Sequence, residues 1–178
     1  MSTAECRYKI VRMLRAIMPG SFDPPTNGHL NLIERATRLF SRLYVVVAHN
    51  SQKSYTFSAE ERLEMMADLT APWPNVEVHL WERMIVEFAQ QVDAPVMIRG
   101  VRALSDFSYE FELSMLNKGL DSAIETIFMP TDARYFVLRS SAIKELVRLG
   151  GDVSTMVPSL VERALRNKIR PAAEVDKG

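Results

Sequence analysis

The sequence predicts an α/β fold in which one five-stranded parallel sheet is covered by helices on both faces. Two observations carry this. Short segments that are apolar on consecutive residues alternate with segments that are apolar at helical spacing. Each cluster of chemically useful residues directly follows one of the short apolar segments, where parallel sheets bind ligands.

The elements follow in order. "RAIMP" from Arg15 and "LYVVVAH" from Leu43 are apolar on consecutive residues rather than alternate ones, as strands buried on both faces are. "NVEVHL" from Asn75 alternates, which suits a strand with one wetter face; "APVMIRG" and "ETIFMP" complete the five. Between the first two, Leu32, Ile33, Ala36, Leu39 and Phe40 fall on one helical face. "SAEERLEMMADLT" opens on Ser58 with Glu61 three residues later, a capping box. "MIVEFAQQV" and "FSYEFELSMLNKGL" are further helices. After the fifth strand come "SSAIKELVRLGG" and "PSLVERALRNKI", with Pro158 in a first turn. The sum is a Rossmann-like, doubly wound sheet with a helical C-terminal part. Residues 15–169 read as a single domain, residues 1–14 as an N-terminal extension and residues 170–178 as a frayed tail.

Composition narrows the function. Lys+Arg and Asp+Glu are equal at 22 each, so no net field favours nucleic acid. Cys6 is the single cysteine, which excludes an intramolecular disulfide and a thiolate metal cluster and suits a reducing compartment. The longest strongly apolar run, "LYVVVA", falls far short of the ~20 residues that span a bilayer. No apolar segment follows the basic residues of "MSTAECRYKIVRML", as a secretory leader would require. The expectation is a cytoplasmic protein without a membrane partner.

Four loops hold the candidate chemistry. In "MPGSFDPPTNGH", Gly20 lets the backbone approach a ligand, Ser21 brings a hydroxyl and Thr26 a cap, and His29 lies in the first turn of a helix. That is a phosphate site, or merely a capped turn with a surface histidine. In "IRGVRALSDF", Arg99 ends an apolar strand and Arg102 lies three residues on; they line a cleft, or pair as Arg99–Asp106 and Arg102–Glu110 on the surface. "NSQKSYTF" carries Lys53, which by itself reads as solvated. "LRSSAIKEL" starts a helix with Ser140 and Ser141, either as caps or as a second phosphate site. His49 and His79 have no partners by spacing and read as structural. No Walker loop, dinucleotide fingerprint or nucleophile elbow is present. The set fits binding of phosphates without a covalent nucleophile.

With these residues in view, "PGSFDPPTNGH", "IRGVRALSDFSYE" and "LRSSAIKELVRLGGDV" resemble, in order and spacing, bacterial phosphopantetheine adenylyltransferases. The likeness runs from about Arg15 to about Ile169. The "TxGH" element marks the nucleotidyltransferase superfamily, and "IRGxRxxxDFxYE" narrows it to the pantetheine branch. The resemblance implies transfer of AMP from ATP to 4′-phosphopantetheine, giving dephospho-coenzyme A and pyrophosphate. It also implies Mg²⁺, a homohexamer and coenzyme A as a feedback ligand.

By motif position it makes His29, Lys53 and Arg102 catalytic. Ser21, Lys53, Ile85 and Arg99 hold the pantetheine substrate. ATP falls to Ser21, Phe22, His29, Gly100, Val101, Arg102 and Glu110, and to the segment Tyr135, Phe136, Val137, Leu138, Arg139, Ser140 and Ser141. Two departures stand out. The family runs three hydroxyl residues where this chain has Arg139-Ser140-Ser141, so Arg139 is expected to point to solvent or to a neighbouring subunit. The N-terminal extension is also longer than usual. The rivals are a sister nicotinamide mononucleotide adenylyltransferase or cytidylyltransferase, and a non-catalytic nucleotide-binding module.

Overall fold

The computed structural model describes residues 14–135 and 139–169. The five strands are β1 (Arg15–Gly20), β2 (Arg42–Ala48), β3 (Val76–Trp81), β4 (Val96–Val101) and β5 (Glu125–Pro130). All pair in parallel, in the order β3-β2-β1-β4-β5. The chain winds outward from β1 to β3, then returns to the other side of β1 and places β4. The gap beyond the carboxyl ends of β1 and β4 is therefore the switch point of the sheet, where such folds open a crevice.

Helices fill the connections: α1 (Asn27–Thr37), α2 (Ala59–Thr70), α3 (Ile85–Gln91), α4 (Leu104–Leu120), α5 (Ser140–Arg148) and α6 (Ser159–Lys168). The central strands behave as their apolar runs predict. Leu43, Val45, Val46 and Val47 are all fully buried, because helices cover both faces of the sheet. On one face, Leu32, Ile33, Ala36 and Phe40 pack over Ala16, Met18 and Val45. On the other, Val86, Phe88 and Ala89 of α3 pack over Ile17, Val46 and Met97. The wetter "VEVHLW" is explained by position: β3 is an edge strand and all six of its residues are only half-buried.

The C-terminal helices build a third core, with Ile143, Val147, Val161 and Leu165 packed on Phe57 and Met65. Helix α5 stops where Gly150 adopts φ +78°, a left-handed ending that glycine permits without strain. Helix α4 starts at Leu104, three residues before the expected "FSYEFEL" segment. Among the described residues none of its seventeen is fully buried: Phe107 meets Phe128 edge-on with centroids 5.1 Å apart, while Tyr109, Phe111, Met115, Leu116 and Leu120 stay exposed. Among the described residues, no helix is long and apolar enough to cross a membrane. The N-terminal extension and the tail, as far as residues 1–13 and 170–178, lie outside the described residues, as do Phe136, Val137 and Leu138.

Candidate active site

A cleft of about 460 Å³ opens at the switch point, walled by the β1–α1 turn, the end of β4, the start of α4 and the start of α5. Of the expected site residues, Ser21, Phe22, His29, Arg99, Gly100, Arg102, Glu110, Tyr135, Arg139, Ser140 and Ser141 line it. Val101, Lys53 and Ile85 do not. Lys53 is exposed in the loop after β2, and Ile85 begins α3.

The first wall is built around His29. Thr26 caps α1: its Oγ1 accepts from the His29 backbone N–H, while the Thr26 backbone N–H donates to His29 Nδ1 at 3.0 Å. This is a capping box with histidine in place of the usual Glu or Gln. Because Nδ1 accepts from a backbone N–H, the ring proton sits on Nε2. Burial, reinforced by Arg102 and Arg99, lowers the His29 pKa from 6.5 to about 4. His29 is thus a neutral imidazole with a fixed Nε2–H donor. It offers a hydrogen bond and not a positive charge.

Phe22 props that ring. Its own ring meets His29 edge-on, with centroids 5.1 Å apart, and its backbone sits at φ +47°, a left-handed conformation costly for a bulky residue. Gly20 is required for the same reason. A Cβ there would lie 2.9 Å from the tip of the Phe22 ring, so the freedom expected for ligand approach serves ring packing first.

The second wall is charged. Arg99 holds Glu110 through two hydrogen bonds, Nε–Oε2 at 2.6 Å and Nη2–Oε1 at 2.7 Å, and its Nη1 donates to Pro19 O at 2.5 Å. Arg102 Nε donates to Asp106 Oδ2 at 2.9 Å. The ion pairs thus cross the expected ones and lie in the cleft wall. Asp106, in the first turn of α4, faces the loop residue Arg102; Glu110, one turn deeper, reaches back to the strand residue Arg99. The fork-to-fork pairing with Glu110, with the Pro19 carbonyl, fixes the orientation of the Arg99 guanidinium.

Arg139 stands at the rim: its side chain is 56% exposed, as a solvent-facing residue would be, yet it belongs to the cleft as the expected ATP segment does. Its Nη2 lies 3.6 Å from Asp106 Oδ1. The hydroxyl of Ser140 is not free either, since it donates to Pro24 O at 3.0 Å.

Sequence reasoning missed the residues that join the walls. Buried Asp23 accepts from the backbone N–H groups of Thr56 and Phe57 and from Lys144 Nζ at 2.7 Å, tying the β1–α1 turn to α2 and α5. Arg62 is fully buried and donates to Ser21 O at 2.7 Å, to Ala48 O, to Ser58 O and to His49 Nδ1 at 2.8 Å, under the Tyr55 ring. It fixes the ends of β1 and β2 from below and gives the structural His49 its partner. No spacing rule links residues 121 positions apart. Thr131, however, follows the end of β5, and the rule that selected Arg99 would have found it.

A family model described as cytidylyltransferase-like matches residues 17–146. Phosphopantetheine adenylyltransferase of Desulforudis audaxviator is 47% identical over 86% of this chain and 94% of its own length. That of Streptomyces coelicolor is 44% identical over 89% of this chain and 99% of its own. That of Desulfatibacillum aliphaticivorans is 43% identical over 87% of this chain and 89% of its own. The chain belongs to the phosphopantetheine adenylyltransferase family. A solved structure from Vibrio parahaemolyticus, assigned as a nicotinate-nucleotide adenylyltransferase, matches 87% of this chain and 93% of its own with a TM-score of 0.65. At 18% identity it shows the shared fold alone. Among the described residues, the expected site residues thus meet at one cleft except Val101, Lys53 and Ile85.

Proposed function

We propose that this cleft transfers the adenylyl group of ATP to the phosphate of 4′-phosphopantetheine, releasing pyrophosphate and dephospho-coenzyme A. The observation that carries the reading is a neutral, oriented His29 donor facing two carboxylate-anchored arginines across a cleft that these relatives' motifs build. A phosphate oxygen of phosphopantetheine attacks the α-phosphorus as the bond to the bridging oxygen of the β-phosphate breaks. The nucleophile is already an anion, so no strong base is needed. The task is to hold two anions in line and to offset their repulsion.

Ser21 and Lys53 hold the attacking phosphate, and Arg99 and Ile85 place the pantetheine. His29 Nε2–H and Arg102 meet charge developing on the nucleotide phosphates. Phe22, Gly100, Val101 and Glu110, with residues 135–141, form the nucleotide side. Magnesium belongs to this reading as part of the nucleotide. Among the described residues no three His, Cys, Asp or Glu side chains group to hold a metal, and Asp106 and Glu110 are engaged by arginines. Phosphate oxygens and water would supply its ligands.

The uncovered side of α4 supports the homohexamer. Tyr109, Phe111, Met115, Leu116 and Leu120 are each 48% to 65% exposed, and another copy of the chain would bury them. Sedimentation would then give six times the 20.2 kDa chain mass. The even charge balance and the single cysteine fit a cytoplasmic enzyme, with coenzyme A as a feedback ligand of the same cleft. The test is pyrophosphate release from ATP. It should require phosphopantetheine and fall to background with nicotinamide mononucleotide, or when CTP replaces ATP. Equal release with nicotinamide mononucleotide would assign a sister reaction, and ATP binding without release would assign a non-catalytic module.

A further inference from the structure

Arg62 is a buried charge that the adenylyl-transfer reading leaves unused. Its hydrogen-bond partners are all neutral: the carbonyl oxygens of Ser21, Ala48 and Ser58 and the ring of His49. Arg99 and Arg102 each lean on a carboxylate, whereas Arg62 leans on none among the described residues. Burying a guanidinium in this way is costly where an apolar side chain would fill the same space. The position of its partners suggests what the charge does. Nη2 donates to His49 Nδ1 at 2.8 Å, which puts the His49 ring proton on Nε2. The guanidinium carbon lies 4.1 Å from the centre of the Tyr55 ring. His49 opens and Tyr55 closes the loop that carries Lys53. Within it, the Asn50 N–H donates to the Tyr55 hydroxyl at 3.1 Å and the Lys53 N–H to Asn50 O at 2.9 Å. Nη1 meanwhile donates to Ser21 O at 2.7 Å. One rigid fork therefore touches both feet of the Lys53 loop and the backbone of Ser21.

We propose that Arg62, through His49 and Tyr55, is a positioning residue for the phosphopantetheine side of the reaction, which holds the Lys53 loop in register with Ser21 so that both close on one phosphate. The proposal rests on the adenylyl-transfer reading above, which puts Ser21 and Lys53 on the attacking phosphate. A loop ordered before binding loses less conformational freedom when the anion arrives. The job needs a planar fork of several donors, which a lysine does not supply. The effect falls on one substrate, because no residue of the nucleotide side is among the hydrogen-bond partners of Arg62.

The test is steady-state kinetics and calorimetric binding on His49→Leu, Tyr55→Leu and His49→Gln, alone and combined with Lys53→Ala. Arg62 itself stays in place, because removing it leaves buried carbonyls unpaired and threatens the fold. His49→Leu should raise KM and Kd for phosphopantetheine about fourfold, the scale of one hydrogen bond, and change kcat and KM for ATP less than about twofold. Tyr55→Leu should act in the same direction. His49→Gln, which keeps an acceptor, should stay within about twofold of the wild type. Because the brace acts through Lys53, His49→Leu should add less than about 1.5-fold on top of Lys53→Ala. No rise for phosphopantetheine, an equal rise for ATP, or full additivity with Lys53→Ala overturns the proposal. A wild type that binds phosphopantetheine but releases no pyrophosphate would instead defeat the reaction, while the contrast in Kd still reports on Arg62.

Discussion

The two walls of the cleft solve one problem by opposite means. On the β1–α1 side the donor is uncharged: burial keeps His29 neutral, Thr26 fixes its tautomer and Phe22 props its ring. On the β4–α4 side the donors stay charged, and each arginine leans on a carboxylate that offsets its desolvation and sets its direction. The difference teaches where each is useful. A neutral donor adds nothing to ground-state attraction beyond its hydrogen bond, so it suits charge that develops during reaction. Anchored cations attract anions from the outset and suit binding.

The largest expected break in that comparison is His29→Ala. It should cut kcat by ~10²–10³-fold, the scale for losing one preorganised donor, with a much smaller change in either KM. Steady-state kinetics on protein with an unchanged circular dichroism spectrum checks it. A rise in KM with kcat intact would place His29 among the binding groups.

Next comes the tie between the walls. Lys144→Met strips the cation from Asp23, which is 4% exposed in its side chain, but leaves it the N–H groups of Thr56 and Phe57. Removing one partner of a buried pair costs about 3 kcal/mol, so the melting temperature should fall by on the order of 10 °C. A shift of a degree or two in thermal melts would mean that the pair contributes little.

The smallest effect is expected from Lys53→Ala. It should raise KM for phosphopantetheine severalfold and more than KM for ATP, although the ligand-free loop leaves Lys53 exposed. A larger rise for ATP would move Lys53 to the nucleotide side.

Much of this was legible in the sequence, for particular reasons. Strands such as "LYVVVA" declare themselves because burial on both faces demands apolar residues at every position. The Ser58–Glu61 box is a local interaction, and the structure forms it as read. The motifs around His29, Arg99 and Ser140 converge on one cleft because parallel strands deliver their ends to one edge. What stayed hidden is long-range or collective. The Asp23–Lys144 pair joins distant segments, and the cross-pairing of Arg99 and Arg102 depended on where α4 starts. The neutrality of His29 comes from its surroundings, which no motif states. The place of Arg139 at the rim of the cleft likewise comes only from the fold.

The most direct test of the neutral wall is the imidazole of His29, followed by ¹⁵N NMR against pH. With its pKa lowered from 6.5 to about 4, the ring should hold the Nε2–H tautomer throughout the neutral range and titrate only near pH 4. The same displacement makes stability rise with pH between about 4 and 6.5, since there the unfolded chain holds a proton that the folded ring lacks. A midpoint near 6.5, or a proton on Nδ1 at pH 7, would contradict the account.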